Sequence, residues 1–330
     1  MKFKGIIAIL TSAFGFALMA ACVRLCDDYG ASISCFEKSF FRNFVALVIA
    51  AVALMRWKRG AARATPALYR LDPKHGFILS LRCVLGTIGI FANFYALTHI
   101  PIADGQTLNK TAPFFTVLFA WLFLRERTSL SQFAAITVAF AGTILVAKPG
   151  FAGGDAFALT MGLLGGVCAG GAYAALRSLG RFGMPPVLIV FAFSAFSCFA
   201  SLPFTFADFV LPTWAQLAAL MGAGFGAAVG QFGITAAYRF ARPNEIAVYD
   251  YFNIPCTAAF GYFLFGQISD ALSMIGIVVI VFAAICLNLK SRCGGDSPRN
   301  MIKTAMNRTI TGKSHGSVTR ESPEVHDFLI

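Results

Sequence analysis

Ten apolar runs of 18–26 residues divide the chain, at approximately 5–24, 37–57, 76–97, 102–124, 130–147, 156–176, 185–206, 213–238, 244–265 and 271–289. A membrane span needs about 20 apolar residues to cross roughly 30 Å of hydrocarbon. Inside lipid each run must be helical, because only a helix or a closed barrel satisfies its own backbone there. The pattern therefore predicts ten transmembrane helices joined by short loops. The second run is the weakest, since it opens with Glu37, Lys38 and Arg42. The first run follows Lys2 and Lys4 and has the outline of a signal peptide. Nine more runs follow it, so it is expected to be a retained span.

Composition agrees with this pattern and removes other classes. Hydrophobic residues make up 58% of the chain, charged residues only 13%, and mean hydropathy is +0.72. Soluble chains are nearer about 45–50% apolar and 25% charged. A soluble enzyme and a soluble domain on a single anchor are both excluded. The net charge of +12 does not point to nucleic acid. The basic residues lie in the gaps between apolar runs, where the membrane orientation rule places them.

Counting Lys and Arg by gap fixes the expected orientation. The termini and the gaps after even-numbered runs hold 22, with Arg82 counted at the edge of the third run. The gaps after odd-numbered runs hold 4, namely Arg24, Lys38, Arg42 and Lys148. This asymmetry predicts an even number of spans with both termini in the cytoplasm. The segment 290–330 is polar and charged without apolar periodicity, and is expected to be a disordered cytoplasmic tail. Most of the nine cysteines read as small buried hydrophobes. Cys26 and Cys35 flank the first loop and could pair if it faced an oxidising side, an alternative left open.

The halves of the chain resemble each other. Residues 95–147 and 238–288 each open on Tyr, pass a polar stretch with a proline (Pro113, Pro255), and end in an aromatic-rich segment, a polar hinge and a last span. Five spans separate matching points. An odd number means that the second copy is inserted upside down, an arrangement of secondary transporters with the binding site at mid-membrane. The expected fold is all-α and integral to the membrane, with repeats at 5–147 and 156–289. Glycine faces (Gly162, Gly166 and Gly170 in the sixth run; Gly222 to Gly233 in the eighth) predict close helix packing.

Several segments carry a family resemblance: "FGFALMAACVRL", "FFRNFVAL", "ALTHIPIADGQTLNKTAPFFTVLFAWLFLRE" and "GYFLFGQISDALSMIGIVVI". Over residues 5–290 the chain resembles the drug/metabolite transporter superfamily in its EamA-domain branch. The resemblance implies ten helices in two inverted repeats, and a cavity lined by spans 3, 4, 8 and 9. The glutamate that typically ends the fourth helix of a repeat is matched by Glu126, but by Gln267 in the second copy. "VYDYFNIP" is similar to the branch that includes S-adenosylmethionine carriers.

Charge inside a span costs at least about 2.5–3.5 kcal/mol and is therefore usually paired or functional. Lys110 in span 4 and Asp250 in span 9 both fall near mid-depth. Span 4 adds Gln106, one turn before Lys110, and Asn109. Span 9 adds Tyr249, Tyr251 and Asn253, span 3 Asn93 and span 8 Gln231. These nine are the expected substrate-binding residues, with Asp250 a candidate carrier of a coupling proton. A Lys110–Asp250 ion pair that staples the halves is the structural alternative. Arg42 with Glu37 reads as an outer-edge pair, Arg125-Glu126-Arg127 as an interfacial anchor, and His99 as a solvated loop residue.

Together these features point to a secondary transporter of a small polar organic metabolite, such as an amino acid, a nucleoside or S-adenosylmethionine, or a vitamin, in the cytoplasmic (inner) membrane. No nucleotide-binding loop, catalytic motif or His-based metal site is present in the sequence. No cofactor is expected. An integral-membrane enzyme or a channel is the rival reading, and a homodimer is left open. The orientation has a direct test. Protease added to right-side-out cells should spare the tail beyond residue 290, and the same protease should remove it from inside-out vesicles; cleavage from outside would reverse the assignment.

Overall fold

The computed structural model of the chain describes residues 2–30, 33–64, 73–99, 108–147, 155–207, 209–266 and 271–293. Eleven helices are defined among them: α1 (Lys2–Asp28), α2 (Cys35–Ala64), α3 (Pro73–His99), α4 (Ala112–Leu124), α5 (Leu130–Ala147), α6 (Ala156–Arg181), α7 (Pro186–Ala207), α8 (Trp214–Phe240), α9 (Pro243–Asp250), α10 (Asn253–Phe265) and α11 (Ala271–Cys293). No strand occurs among the described residues. Six helices (α1, α2, α3, α6, α7 and α8) are long and apolar enough to cross a membrane whole. With α4, α5, the α9–α10 pair and α11, they give the ten expected spans. The chain is an all-α, multi-pass membrane protein. One compact unit runs to Ile285 and a second begins at Cys286, of which the end of α11 is described.

Outward faces carry large apolar side chains, as lipid demands. Phe199, Phe206, Trp214, Phe263 and Val278 are all exposed. Inside, the helices meet through small residues. A Cβ on Gly15 of α1 would lie 2.6 Å from the Gly230 nitrogen and 2.8 Å from the Gly226 carbonyl of α8. On the other side, a Cβ on Gly226 would meet the Met19 nitrogen at 2.7 Å. Backbone therefore lies directly on backbone. That is the packing expected where lipid supplies no hydrophobic drive between helices. The Ser12 hydroxyl, between these glycines, donates to the Gly230 carbonyl at 2.7 Å. α8 runs unbroken from Trp214 to Phe240, so its glycines serve packing and not a hinge.

The same device joins α6 to α3 and α4. A Cβ on Gly165 would crowd the Asn93 nitrogen at 3.2 Å, and one on Gly166 the Leu108 carbonyl at 2.8 Å. α1 packs along α8 and α3 along α6; α2 lies against α7 and α8, and α7 against α3; α4 rests on α6, and α10 on α1. Exchanging each of the first five spans for the one five later turns this set of contacts into itself.

Four expectations need correction. Spans 4 and 9 are not continuous helices: helical turns break at Lys110–Thr111 and again at Tyr251–Phe252. Arg82 does not sit at the edge of its span and does not count with the basic loop. α3 begins at Pro73, the favoured first position of a helix, which puts Arg82 about 13 Å down the axis at 1.5 Å per residue; it is 1% exposed. Glu37 and Arg42 do not pair. Five residues apart they point about 140° away from each other around the helix, and the Glu37 carboxylate accepts from the Val210 backbone instead, at 3.2 Å. His99 lies in the last turn of α3 and stacks on Tyr95, with centroids 4.1 Å apart. Moving Arg82 and Arg42 inward leaves the charge asymmetry standing. α11 extends to Cys293; the tail beyond it, Gln106, Gln267 and the Cys35 side chain lie outside the described residues.

The backbone contact of α1 and α8 yields a prediction. Gly226→Leu should lower the apparent melting temperature of the detergent-solubilised protein sharply, since overpacking costs about 1–3 kcal/mol or more where backbone must shift. Gly76→Ala, where a Cβ meets nothing within 4 Å, should leave it unchanged. Equal behaviour of the two variants would refute the packing account.

Candidate functional site

The two breaks form the centre of the candidate site, and proline chemistry makes them. Pro113 has no N–H to offer the Asn109 carbonyl four residues earlier, and Pro255 none for Tyr251. Lys110 and Asp250 therefore sit beside interruptions and not within regular helix. α4 restarts after Thr111, whose hydroxyl donates to the Leu108 carbonyl at 2.6 Å. The Lys110 carbonyl, freed by the break, accepts a hydrogen bond from the Tyr251 hydroxyl at 3.0 Å. One interruption thus satisfies the other.

Lys110 and Asp250 interact electrostatically across this junction, and both keep some accessible surface. No direct ion pair joins them among the described residues. Tyr251 is fully buried and Tyr249 nearly so. Asn109 is half-buried beside Lys110. Asn253 is a helix-packing residue in this structure: its side-chain amide donates to the Ala13 carbonyl of α1 at 3.0 Å. Asn93 lies where α3 meets α6, half-buried, with its Oδ1 buried and unpartnered among the described residues. Gln231, 6% exposed, accepts at Oε1 from Arg82 Nη2 at 3.1 Å. The structure thus brings Lys110, Asp250, Tyr249 and Tyr251 into one junction, and puts Gln231 beside a residue that the sequence reading had placed at the edge of the third span.

Arg82 was missed, and with it a second charged group. Its guanidinium lies 4.1 Å from the Phe193 ring centroid, a cation–π contact. Arg42 of α2 is 7% exposed. The Tyr173 hydroxyl of α6 interacts electrostatically with Arg42, Arg82 and Asp250, which ties this group to the broken helices. The Tyr173 ring stacks on that of Tyr238, with centroids 5.6 Å apart. Arg82 was legible in principle, because Pro73 marks the helix start. Tyr173 carried no signal beyond an apolar run.

At one end of the bundle, Glu126 of the Arg125-Glu126-Arg127 stretch is engaged within the protein. Its carboxylate pairs with Arg177 Nε of α6 at 2.8 Å, and Arg177 also donates to the Tyr238 carbonyl at 3.2 Å. Asn244 donates to the Arg127 carbonyl at 2.7 Å. These bonds fasten the end of span 4 to the elements around span 9. No group of three or more metal-ligating side chains is present among the described residues.

Known proteins give the site its context. The profile of the EamA-like transporter family matches residues 3–148. The pseudopaline exporter of Pseudomonas aeruginosa is 30% identical over 286 residues, covering 86% of this chain and 96% of its own. A riboflavin transporter of Rhizobium johnstonii is 28% identical over 62% of this chain and 67% of its own. A solved crystal structure superposes with a TM-score of 0.73 at 16% identity, over 90% of this chain and 100% of the other, which shows a shared fold.

The junction predicts a specific cost. Tyr251→Phe keeps the ring but strands the Lys110 carbonyl, and a buried unsatisfied acceptor costs about 1–3 kcal/mol. The variant should melt measurably lower than the parent, while Tyr29→Phe, at an exposed position, should not. An unchanged melting temperature for Tyr251→Phe would mean that the bond does not hold the breaks together.

Proposed function

The chain belongs to the EamA-like transporter family, within the drug/metabolite transporter superfamily, and from that premise we propose a secondary transporter that moves a small polar organic metabolite across the cytoplasmic membrane by alternating access. Both termini face the cytoplasm in this reading. The observation that carries it is the meeting of two broken spans, with Lys110 and Asp250 beside the interruptions and Tyr251 bridging them. Interrupted helices at mid-membrane are where secondary transporters bind substrate, because freed backbone groups and helix ends there can serve a ligand. α4 and α10 both begin at the junction, so the positive ends of their dipoles lie there. The contact pattern that maps onto itself supports two related halves, which rock against each other about the junction.

The proposed substrate contacts are Lys110, Asp250, Tyr249 and Tyr251, with Asn93, Asn109 and Gln231 around them; Gln106 and Asn253 complete the set read from the sequence. Asp250 is the proposed carrier of a coupling proton, since it is an acidic group beside a break that retains accessible surface. The substrate range in this reading runs from amino acids through nucleosides and S-adenosylmethionine to vitamins. The names of relatives, one for pseudopaline and one for riboflavin, support a soluble metabolite over a lipid or an ion.

The full-length protein in proteoliposomes should show uptake or exchange of one labelled compound among amino acids, nucleosides, S-adenosylmethionine and riboflavin. Lys110→Met with Asp250→Leu should give a folded but inactive double variant. Asp250→Asn alone should keep binding and lose the dependence of uptake on a pH gradient. Native transport and native pH dependence in the double variant would reduce both charges to scaffolding.

A further inference from the structure

We propose that the substrate carries an oxyanion, a carboxylate or a phosphate, and that Arg42 and Arg82 receive it. The inference rests on the transporter reading above and deepens it. Arg42 comes from α2 and Arg82 from α3, yet the two cations act on each other and both act on the Tyr173 hydroxyl. Like charges held together in the middle of a membrane protein need a reason, because each is costly there and they repel.

The protein itself does not neutralise them. Arg42 Nε, Arg82 Nε and Arg82 Nη1 are buried and have no hydrogen-bond partner among the described residues. Only Arg82 Nη2 is engaged, by Gln231 Oε1. Neither arginine forms an ion pair among the described residues. Of the nearby acids, Glu37 bonds to the Val210 backbone, and Asp250 acts on Tyr173 and Lys110 without pairing to either arginine.

Arg82 is held in place with care. Its guanidinium lies over the Phe193 ring, and Gln231 holds one nitrogen. Gly86, one turn along α3, leaves room for Nη1: a Cβ there would collide with it. A guanidinium whose orientation is fixed and whose donors are unspent suits a planar or tetrahedral oxyanion, which accepts several N–H bonds at once. Asp250, which also acts on Tyr173, gives the site an acidic pole as well. A ligand with an ammonium group beside its oxyanion would meet both poles.

Phenylglyoxal, which modifies accessible guanidinium groups, gives a readout independent of the true substrate. Full-length protein in proteoliposomes is labelled, and modification at Arg42 and Arg82 is followed by peptide mass spectrometry. Two matched pairs of probes are added: phenylalanine against phenylalaninol, and adenosine monophosphate against adenosine. At ten times its dissociation constant the oxyanion-bearing member of one pair should slow labelling about tenfold, and its partner without the oxyanion should not. Protection in the first pair assigns a carboxylate, and protection in the second a phosphate. Arg42→Gln should abolish protection of Arg82, and Arg82→Gln that of Arg42. Should a glutamine variant fail to fold, Arg42→Lys keeps the charge, and Gly86→Ala displaces Arg82 without removing it; each should weaken protection. Absence of labelling at both arginines, or equal labelling with every probe, overturns the proposal. Failure of the transporter reading is distinct, since it is the absence of uptake or exchange for every labelled compound in the screen above.

Discussion

A helix that stops halfway through a membrane leaves carbonyl and N–H groups facing hydrocarbon, where nothing replaces the lost bonds. This chain stops two helices that way, and the rest of the structure follows from how the exposed groups are supplied. Thr111 turns back onto Leu108, and Tyr251 reaches from one interruption to the Lys110 carbonyl at the other. Because each break needs the other, spans 4 and 9 must meet. Once they meet, the charges beside them are placed in one another's field. The glycine contacts then have a clear purpose: α6 can lie on span 4 closely enough to shield the break only because Gly166 and Gly170 have no side chains there.

The outer framework was legible from hydropathy, since burial in lipid acts on every residue of a span and averages over errors. Ten runs became ten spans, and the glycine faces became backbone contacts. The breaks were not foreseen, although Pro113 and Pro255 were noted. Hydropathy measures transfer of side chains and does not sense the loss of two backbone N–H groups. Arg82 was misassigned for a related reason. It follows a basic loop closely in sequence, and only the helix start at Pro73 separates the loop from the interior. Arg42 and Glu37 failed as a pair because nearness in sequence was read as nearness in space, where a helix turns them apart.

Pairwise reading of the duplication found Lys110 and Asp250 but could not find Tyr173 or the arginines. Their positions depend on three different helices (α2, α3 and α6), and no spacing along the chain encodes that convergence. Ordinary tyrosines and arginines become a cluster only after packing. Glu126 shows the opposite case. Its place at the end of span 4 was legible, but its role was decided by Arg177, which lies 51 positions away in sequence.

The buried arginines and Lys110 outnumber Asp250, so the middle of the bundle is positive. A cell membrane carries a voltage, and a charge that crosses all of it does about 2.3 kcal/mol of work per 100 mV. Any rearrangement that shifts α2, α3 and the broken spans along the membrane normal therefore performs electrical work. The resting voltage becomes a force on the protein's own conformational equilibrium, whatever the concentrations on either side. An anion bound among those cations would cancel part of that force. Empty and loaded forms would then respond differently to the same potential.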